Sequence, residues 1–106
     1  NYVDANHFVP VAQSTTAKLL RYLPGEVWLT ETGGIVESST MSHDEQRAAR
    51  AITHVFELAA LSSRITRVYL YNWYGITKPG MWDSGLVSAG GVPRPGLDAV
   101  RAYLRG

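Results

Sequence analysis

The chain has 106 residues, 45% hydrophobic and 18% charged, with a formal net charge of +1. That length suits one small globular domain, and the near-neutral charge, without a basic run, implies no nucleic-acid partner. There is no cysteine, which excludes a disulfide scaffold, a thiolate metal site and a cysteine nucleophile. No apolar run approaches the ~18–20 residues of a membrane span, so no membrane is implied, and no basic start with an apolar core reads as a signal peptide.

Asn1-Tyr2-Val3-Asp4-Ala5 reads as the beginning of a strand that continues to residue 7, where Asn6-His7-Phe8 ends it and Pro10 stops ladder pairing. A chain that starts inside a strand is expected to be a piece of something longer. Ser14 suits a helix N-cap, and Leu19, Leu20 and Leu23 give the apolar stripe of a short helix over residues 15–23. Pro24 and Gly25 end it.

The central stretch is Glu26-Val27-Trp28-Leu29-Thr30-Glu31-Thr32-Gly33-Gly34. Its β-branched, aromatic and apolar residues predict a strand. Simple alternation puts Val27, Leu29 and Glu31 on one face and Trp28 and Thr30 on the other, with Trp28 packed under a helix. Glu31 then closes an apolar face just before two glycines that let the chain turn. A carboxylate at the carboxyl end of a buried strand is where parallel α/β proteins place chemistry.

Residues 35–41 form a polar loop. Ser42-His43-Asp44-Glu45 matches a capping box, with Asp44 and Glu45 suited to a helix first turn. The helix that follows carries Ala48, Ile52, Val55, Phe56 and Ala59 at helical spacing, with Arg47, Arg50, His54 and Glu57 on the solvated side. A third strand is predicted over residues 67–73, with Tyr69, Tyr71 and Trp73 on one face. A long loop over residues 74–92, rich in glycine and containing Trp82-Asp83-Ser84-Gly85-Leu86, is of the kind that carries function. Pro95 opens a last helix striped by Leu97, Val100 and Leu104. The order β-α-β-α-β-α implies a parallel sheet with right-handed crossovers. It suits either a small open α/β fold or an arc of a (β/α)8 barrel.

VWLTETGG, a capped helix, RVYLYNW, a loop with WDSGL, and RPGL opening the final helix together resemble the last part of the clan A glycoside hydrolases. That family is built on (β/α)8 barrels and cleaves glycosides with retention. The resemblance implies that residues 1–106 are strands six to eight of such a barrel, part of one catalytic domain. It implies Glu31 as the nucleophile, Trp73 as the platform under the attacked sugar, and His7 as a residue that orients Glu31 or binds a hydroxyl. Trp82 either caps an apolar loop or stacks on a sugar, and Tyr71 shares the Trp73 face deeper in the strand. The family's acid/base glutamate, which follows an Asn on the fourth strand, has no counterpart here, and retaining hydrolysis needs two carboxyl groups about 5–5.5 Å apart.

The three histidines are scattered without metal-ligand spacing, so no metal is expected, and the glycines fit neither a dinucleotide fingerprint nor a P-loop, so no cofactor is expected. The expected partners are a carbohydrate substrate and the remainder of the barrel. Two other readings remain open at this point: a carbohydrate-binding protein on the same scaffold, and another α/β enzyme that uses Glu31 as a general base.

Overall fold

The computed structural model describes residues 2–106. Six of its elements are an α-helix or a strand: α1 (Tyr2–Asn6), α2 (Thr15–Leu20), β1 (Val27–Thr32), α3 (Glu45–Ala59), β2 (Ile65–Leu70) and α4 (Pro95–Arg105), with a 3-10 turn at Val11–Gln13. β1 and β2 pair in parallel through the α3 crossover, so the molecule is α/β as the alternating pattern implies. The sheet of the described residues has two strands rather than three.

The missing strand is the one expected over residues 2–7. Tyr2–Asn6 is a helical turn instead, in which Asn6 Nδ2 donates to the Tyr2 carbonyl at 2.8 Å. Asn1, expected in the same strand, lies outside the described residues. The second helix begins where expected, with the Ser14 hydroxyl accepting from the Ala17 N–H at 3.0 Å, but it ends at Leu20 rather than residue 23. Past its end the guanidinium of Arg64 donates to the carbonyls of Leu20, Leu23 and Gly25, and Pro24 has no N–H with which to cap Leu20.

α3 forms as its periodicity predicts, burying Ala48, Ala51, Ile52, Val55 and Leu58. Its N-cap is Asp44, whose carboxylate accepts from the Arg47 N–H at 2.8 Å. Ser42, the expected cap, lies outside the helix. Two core clusters flank α3. Ala5, Val55 and Leu58 pack with Val11, Val68 and Leu70 on one side. Ile52, Leu86, Val87 and Leu97 pack with Phe56, Ala99 and Val100 on the other. β2 is offset from the expected 67–73, and Tyr71, Asn72 and Trp73 continue beyond it.

The long loop is more ordered than its composition suggests. The Tyr71–Asn72 peptide is cis, and beyond it the chain folds back. Asn72 and Trp73 carbonyls accept from the N–H groups of Leu86 and Val87 at 3.1 and 2.9 Å, so this loop contributes core residues. Asp83 and Arg94, both buried, join as a bidentate pair at 2.8 and 2.9 Å. This pair ties the loop to the start of α4, where Pro95 stands in the first turn as expected.

Candidate active site at the strand ends

The position of Glu31 follows from a register shift. Leu29 pairs with Val68, and Thr32 pairs with Leu70. Three steps on β1 match two on β2, so β1 carries one extra residue, a β-bulge. Val68 and Leu70 both face α3, which puts Leu29 and the fully buried Thr32 on that same side. The phase of alternation is therefore reset between them, and Glu31 is exposed on the opposite, open face of the sheet. Simple alternation grouped Glu31 with Val27 and Leu29. The bulge separates them and turns the carboxylate toward the side that holds Trp28, Arg67 and Tyr69.

That open face is aromatic. Trp28 and Tyr69 are both nearly half exposed, with rings 6.5 Å apart, and the Arg67 guanidinium lies 4.7 Å above the Trp28 ring. The expectation that Trp28 packs under a helix is thus corrected: it sits beneath a cation on the uncovered face.

The glycines after Glu31 serve close approach more than turning. A Cβ on Gly34 would meet the Ala48 carbonyl oxygen at 2.1 Å, and one on Gly33 would meet that of Tyr71 at 2.7 Å. Only hydrogen at these positions lets the chain leave β1 between α3 and the end of β2. Asn6 secures the departure: its Nδ2 donates to the Gly33 carbonyl at 2.8 Å and its Oδ1 accepts from the Ile35 N–H at 2.7 Å.

Around the strand ends three side chains, those of Tyr2, Trp82 and Ser84, are fixed by one another and by the Tyr71 carbonyl. The Tyr2 hydroxyl donates to the Tyr71 carbonyl at 3.0 Å, and Ser84 Oγ donates to the same carbonyl at 2.7 Å. Trp82 Nε1 donates to Ser84 Oγ at 3.1 Å, and the Trp82 ring stands edge-on to Tyr2 with centroids 4.8 Å apart. Burial, opposed by the Ser84 hydrogen bond and reinforced by the charge of Glu31, pushes the Tyr2 phenol up from 10.0 to about 12.

Of the residues singled out from sequence, Tyr71 and Trp82 are joined through the Ser84 hydroxyl beyond the end of β2, and Glu31 stands next to last in β1. Trp73 is half exposed, and its described bond is the backbone one to Val87; Trp82 is the indole held against Tyr2. His7 is exposed and follows the last residue of α1. Because α1 is helical, Tyr2 and Asn6 point to the site together, four residues apart. Sequence reasoning missed both; the i, i+4 spacing of a Tyr and an Asn was the available signal. Ser84 supplies the hydroxyl that joins the Tyr71 carbonyl to the Trp82 indole. Among the described residues no three His, Asp or Glu side chains gather closely enough to hold a metal ion.

No protein-family model matches this chain, and no curated protein matches it. Among solved structures it is similar to a GH2 beta-galacturonidase from Eisenbergiella tayi bound to glycerol, with a TM-score of 0.60 and 14% sequence identity. The similarity covers 74% of this chain and 16% of that one, so the chain spans about a sixth of that structure. What the two share at this identity is the fold of the matched part, a mixed α/β arrangement of parallel strands and helices found within a glycoside hydrolase.

Proposed function

We propose that this chain is part of a retaining glycoside hydrolase in which Glu31 is the nucleophile. The observation that carries the reading is the bulge between Leu29 and Thr32, which delivers a carboxylate to an open aromatic face at the carboxyl end of a parallel strand. In the reaction, Glu31 attacks the anomeric carbon and carries the glycosyl-enzyme intermediate, while a second carboxyl group protonates the leaving oxygen and later activates water. That second group belongs to a part of the enzyme beyond this sequence. Tyr71 and Trp82 offer aromatic surface to the apolar face of a sugar ring. Trp73, two residues on from Tyr71 and half exposed, is the platform that the resemblance implies.

The barrel reading draws support from the outer edges of β1 and β2, which have no strand partner among the described residues. A groove of about 340 Å³ runs between α2 and β1, lined by Leu19, Leu20 and Leu23 and by consecutive residues from Val27 to Glu31. A second, of about 350 Å³, is lined by the successive residues Ile65 to Val68 of β2 and by Val100, Tyr103 and Leu104 of α4. Consecutive rather than alternate residues line a groove only along a strand's edge. Each edge thus faces an apolar slot suited to a further parallel strand, as in the interior of a larger sheet with its helices outside.

The test is Glu31→Gln in the longer enzyme. Turnover of aryl glycosides should fall by several orders of magnitude with folding intact, and a slow-deglycosylating glycoside should label the peptide that contains Glu31. Near-normal turnover removes Glu31 from the mechanism. Carbohydrate binding without chemistry is a second reading, favoured by the clustering of Tyr2, Tyr71 and Trp82; it predicts binding in the longer protein with no turnover before any substitution.

A further inference from the structure

The loop between Gly75 and Trp82 carries Ile76, Met81 and Trp82, all exposed, and Trp82 is the wall of the candidate site against Tyr2. Its base is held by Asp83, whose Oδ2 accepts from the Ile76 N–H at 3.3 Å and whose backbone pairs with Val36 and Glu37. Its tip is held differently. The Gly80 N–H donates to Oε2 of Glu37. The other oxygen, Oε1, lies 3.0 Å from Nδ1 of His43. The second ring nitrogen of His43 lies 3.4 Å from Oε2 of Glu45, and that oxygen is 3.2 Å from Nε of Arg94. Arg94 closes the circuit on Asp83. One chain of charged contacts therefore runs from the loop's tip round to its base, and His43 is its middle link.

We infer that His43 is a pH-responsive latch that holds the Gly75–Trp82 loop against the candidate site when protonated and loosens its tip when neutral. Both ring nitrogens face carboxylates, which only accept. The imidazolium can donate to both; the neutral ring has one proton and turns a lone pair on the other carboxylate. His43 faces Glu37 from the segment after β1 and Glu45 from the first turn of α3. Lys78 and Asp83 line the same cavity of about 160 Å³, and Arg94 acts on it through Glu45. Negative charge faces the ring from Glu37 and Glu45, and positive charge stands at Lys78 in the loop and, behind Glu45, at Arg94. Glu37 is itself held below the usual carboxylate range, first by the Gly80 N–H and then by His43, so it remains an acceptor throughout the neutral range. The latch relies on the sugar-site reading only for what the loop covers.

The experiment is amide hydrogen exchange at Gly80, corrected for the intrinsic chemical rate, between about pH 5 and pH 8. The amide of Leu58, buried in the core, reports global opening. In the unaltered protein, Gly80 protection should fall several-fold as pH rises, with Leu58 protection constant. His43→Asn should abolish that pH dependence. Glu37→Gln, which keeps an acceptor but not the charge, should leave Gly80 weakly protected at every pH. The same profile in His43→Asn as in the unaltered protein, or no pH dependence in the latter, overturns the latch. Either outcome leaves the Glu31 reading standing, because that rests on turnover and not on the loop.

Discussion

Arg94 meets Asp83 through two parallel hydrogen bonds, of 2.8 and 2.9 Å, in a place where neither residue is more than about a twentieth exposed. The pair joins the loop after β2 to the start of α4, and Arg94 Nη1 also donates to the Gly85 carbonyl at 3.0 Å. Removing Arg94 leaves Asp83 a buried carboxylate held only by the Gly85 and Ile76 N–H groups, without its counter-charge, which costs about 3–5 kcal/mol. Arg94→Leu should lower the unfolding midpoint in urea accordingly, and the double change of Arg94→Leu with Asp83→Leu should recover part of the loss. A cost of a few tenths of a kcal/mol for the single variant would mean that water reaches the pair.

The same pair sets an acid limit. Burial by itself raises the Asp83 carboxyl, but the hydrogen bonds from Arg94, Gly85 and Ile76 outweigh it and hold the group below its ordinary value. A carboxyl lowered in the folded state contributes stability above its unfolded value, and that contribution fades as pH falls toward the folded one. Stability should therefore drop below about pH 4, and Asp83→Asn should flatten that limb of the stability profile while lowering the plateau at neutral pH.

Tyr2 sets the opposite limit. Its phenol, pushed up to about 12, favours the protonated form in the folded state, so its contribution is complete below the unfolded value of 10.0 and disappears as pH rises toward 12. Ultraviolet titration should show one late-ionising tyrosine, missing in Tyr2→Phe. The variant also loses the bond to the Tyr71 carbonyl, worth about 1 kcal/mol. On the function proposed above, that contact steadies the strand end that carries Glu31, and Tyr2→Phe in the longer enzyme should lower turnover more than it weakens substrate binding.

Much of this fold was readable from residue order. The strand at Val27–Thr32 and the helix at Glu45–Ala59 carry clear patterns over enough residues to be decisive. Residues 2–7 do not: five or six positions fit a strand's alternation and a helix's i, i+4 pair about equally well. What settles the matter is a tertiary bond, from Asn6 to Gly33 and Ile35, 27 and 29 positions away. Glu31 was legible as a strand-end carboxylate, but its face was not. The extra residue in β1 is a property of its pairing with β2, and nothing in Leu29-Thr30-Glu31-Thr32 announces it. Residues 74–92 were legible as a long loop, but their pairing was not, because it is made of single bridges, Tyr74 with Val87 and Val87 with Pro93, too short to leave a pattern.

Gly34 gives a sharp packing test. An added methyl would lie 2.1 Å from the Ala48 carbonyl oxygen, a backbone atom inside α3 that cannot swing aside. Gly34→Ala should therefore force β1 and α3 apart, with a loss of stability of at least the 1–3 kcal/mol typical of overpacking. Gly25 is the control. Nothing lies within 4 Å of its added methyl, but its φ of +75° disfavours a side chain, so Gly25→Ala should cost only about 1 kcal/mol. Thermal melts of the two variants, run side by side, separate collision from backbone strain; equal shifts would refute the close approach at Gly34.

The last prediction concerns the edges. β1 and β2 pair with each other only, so each has one row of backbone groups without a strand partner among the described residues. Such rows recruit other strands unless charge, proline or a covering element blocks them. Here no lysine or proline lies in Val27–Thr32 or Ile65–Leu70, and the apolar slot beside each edge adds hydrophobic gain to the hydrogen bonds. Leu19, half exposed in the first slot, and Leu104, three-quarters exposed in the second, mark the two openings. The 106-residue chain on its own should associate with itself in a concentration-dependent way and show no hydrolysis of aryl glycosides, because one strand-end carboxylate cannot both attack and protonate. Leu19→Lys and Leu104→Lys place a charge in each slot without touching the clusters around α3, so the pair should shift sedimentation toward monomer and leave the circular dichroism spectrum unchanged. A monodisperse, cooperatively unfolding monomer in the unaltered chain would mean that two strands and their helices form a complete fold. The slots would then be surface features rather than seats for neighbouring strands, and the barrel reading would fall with them.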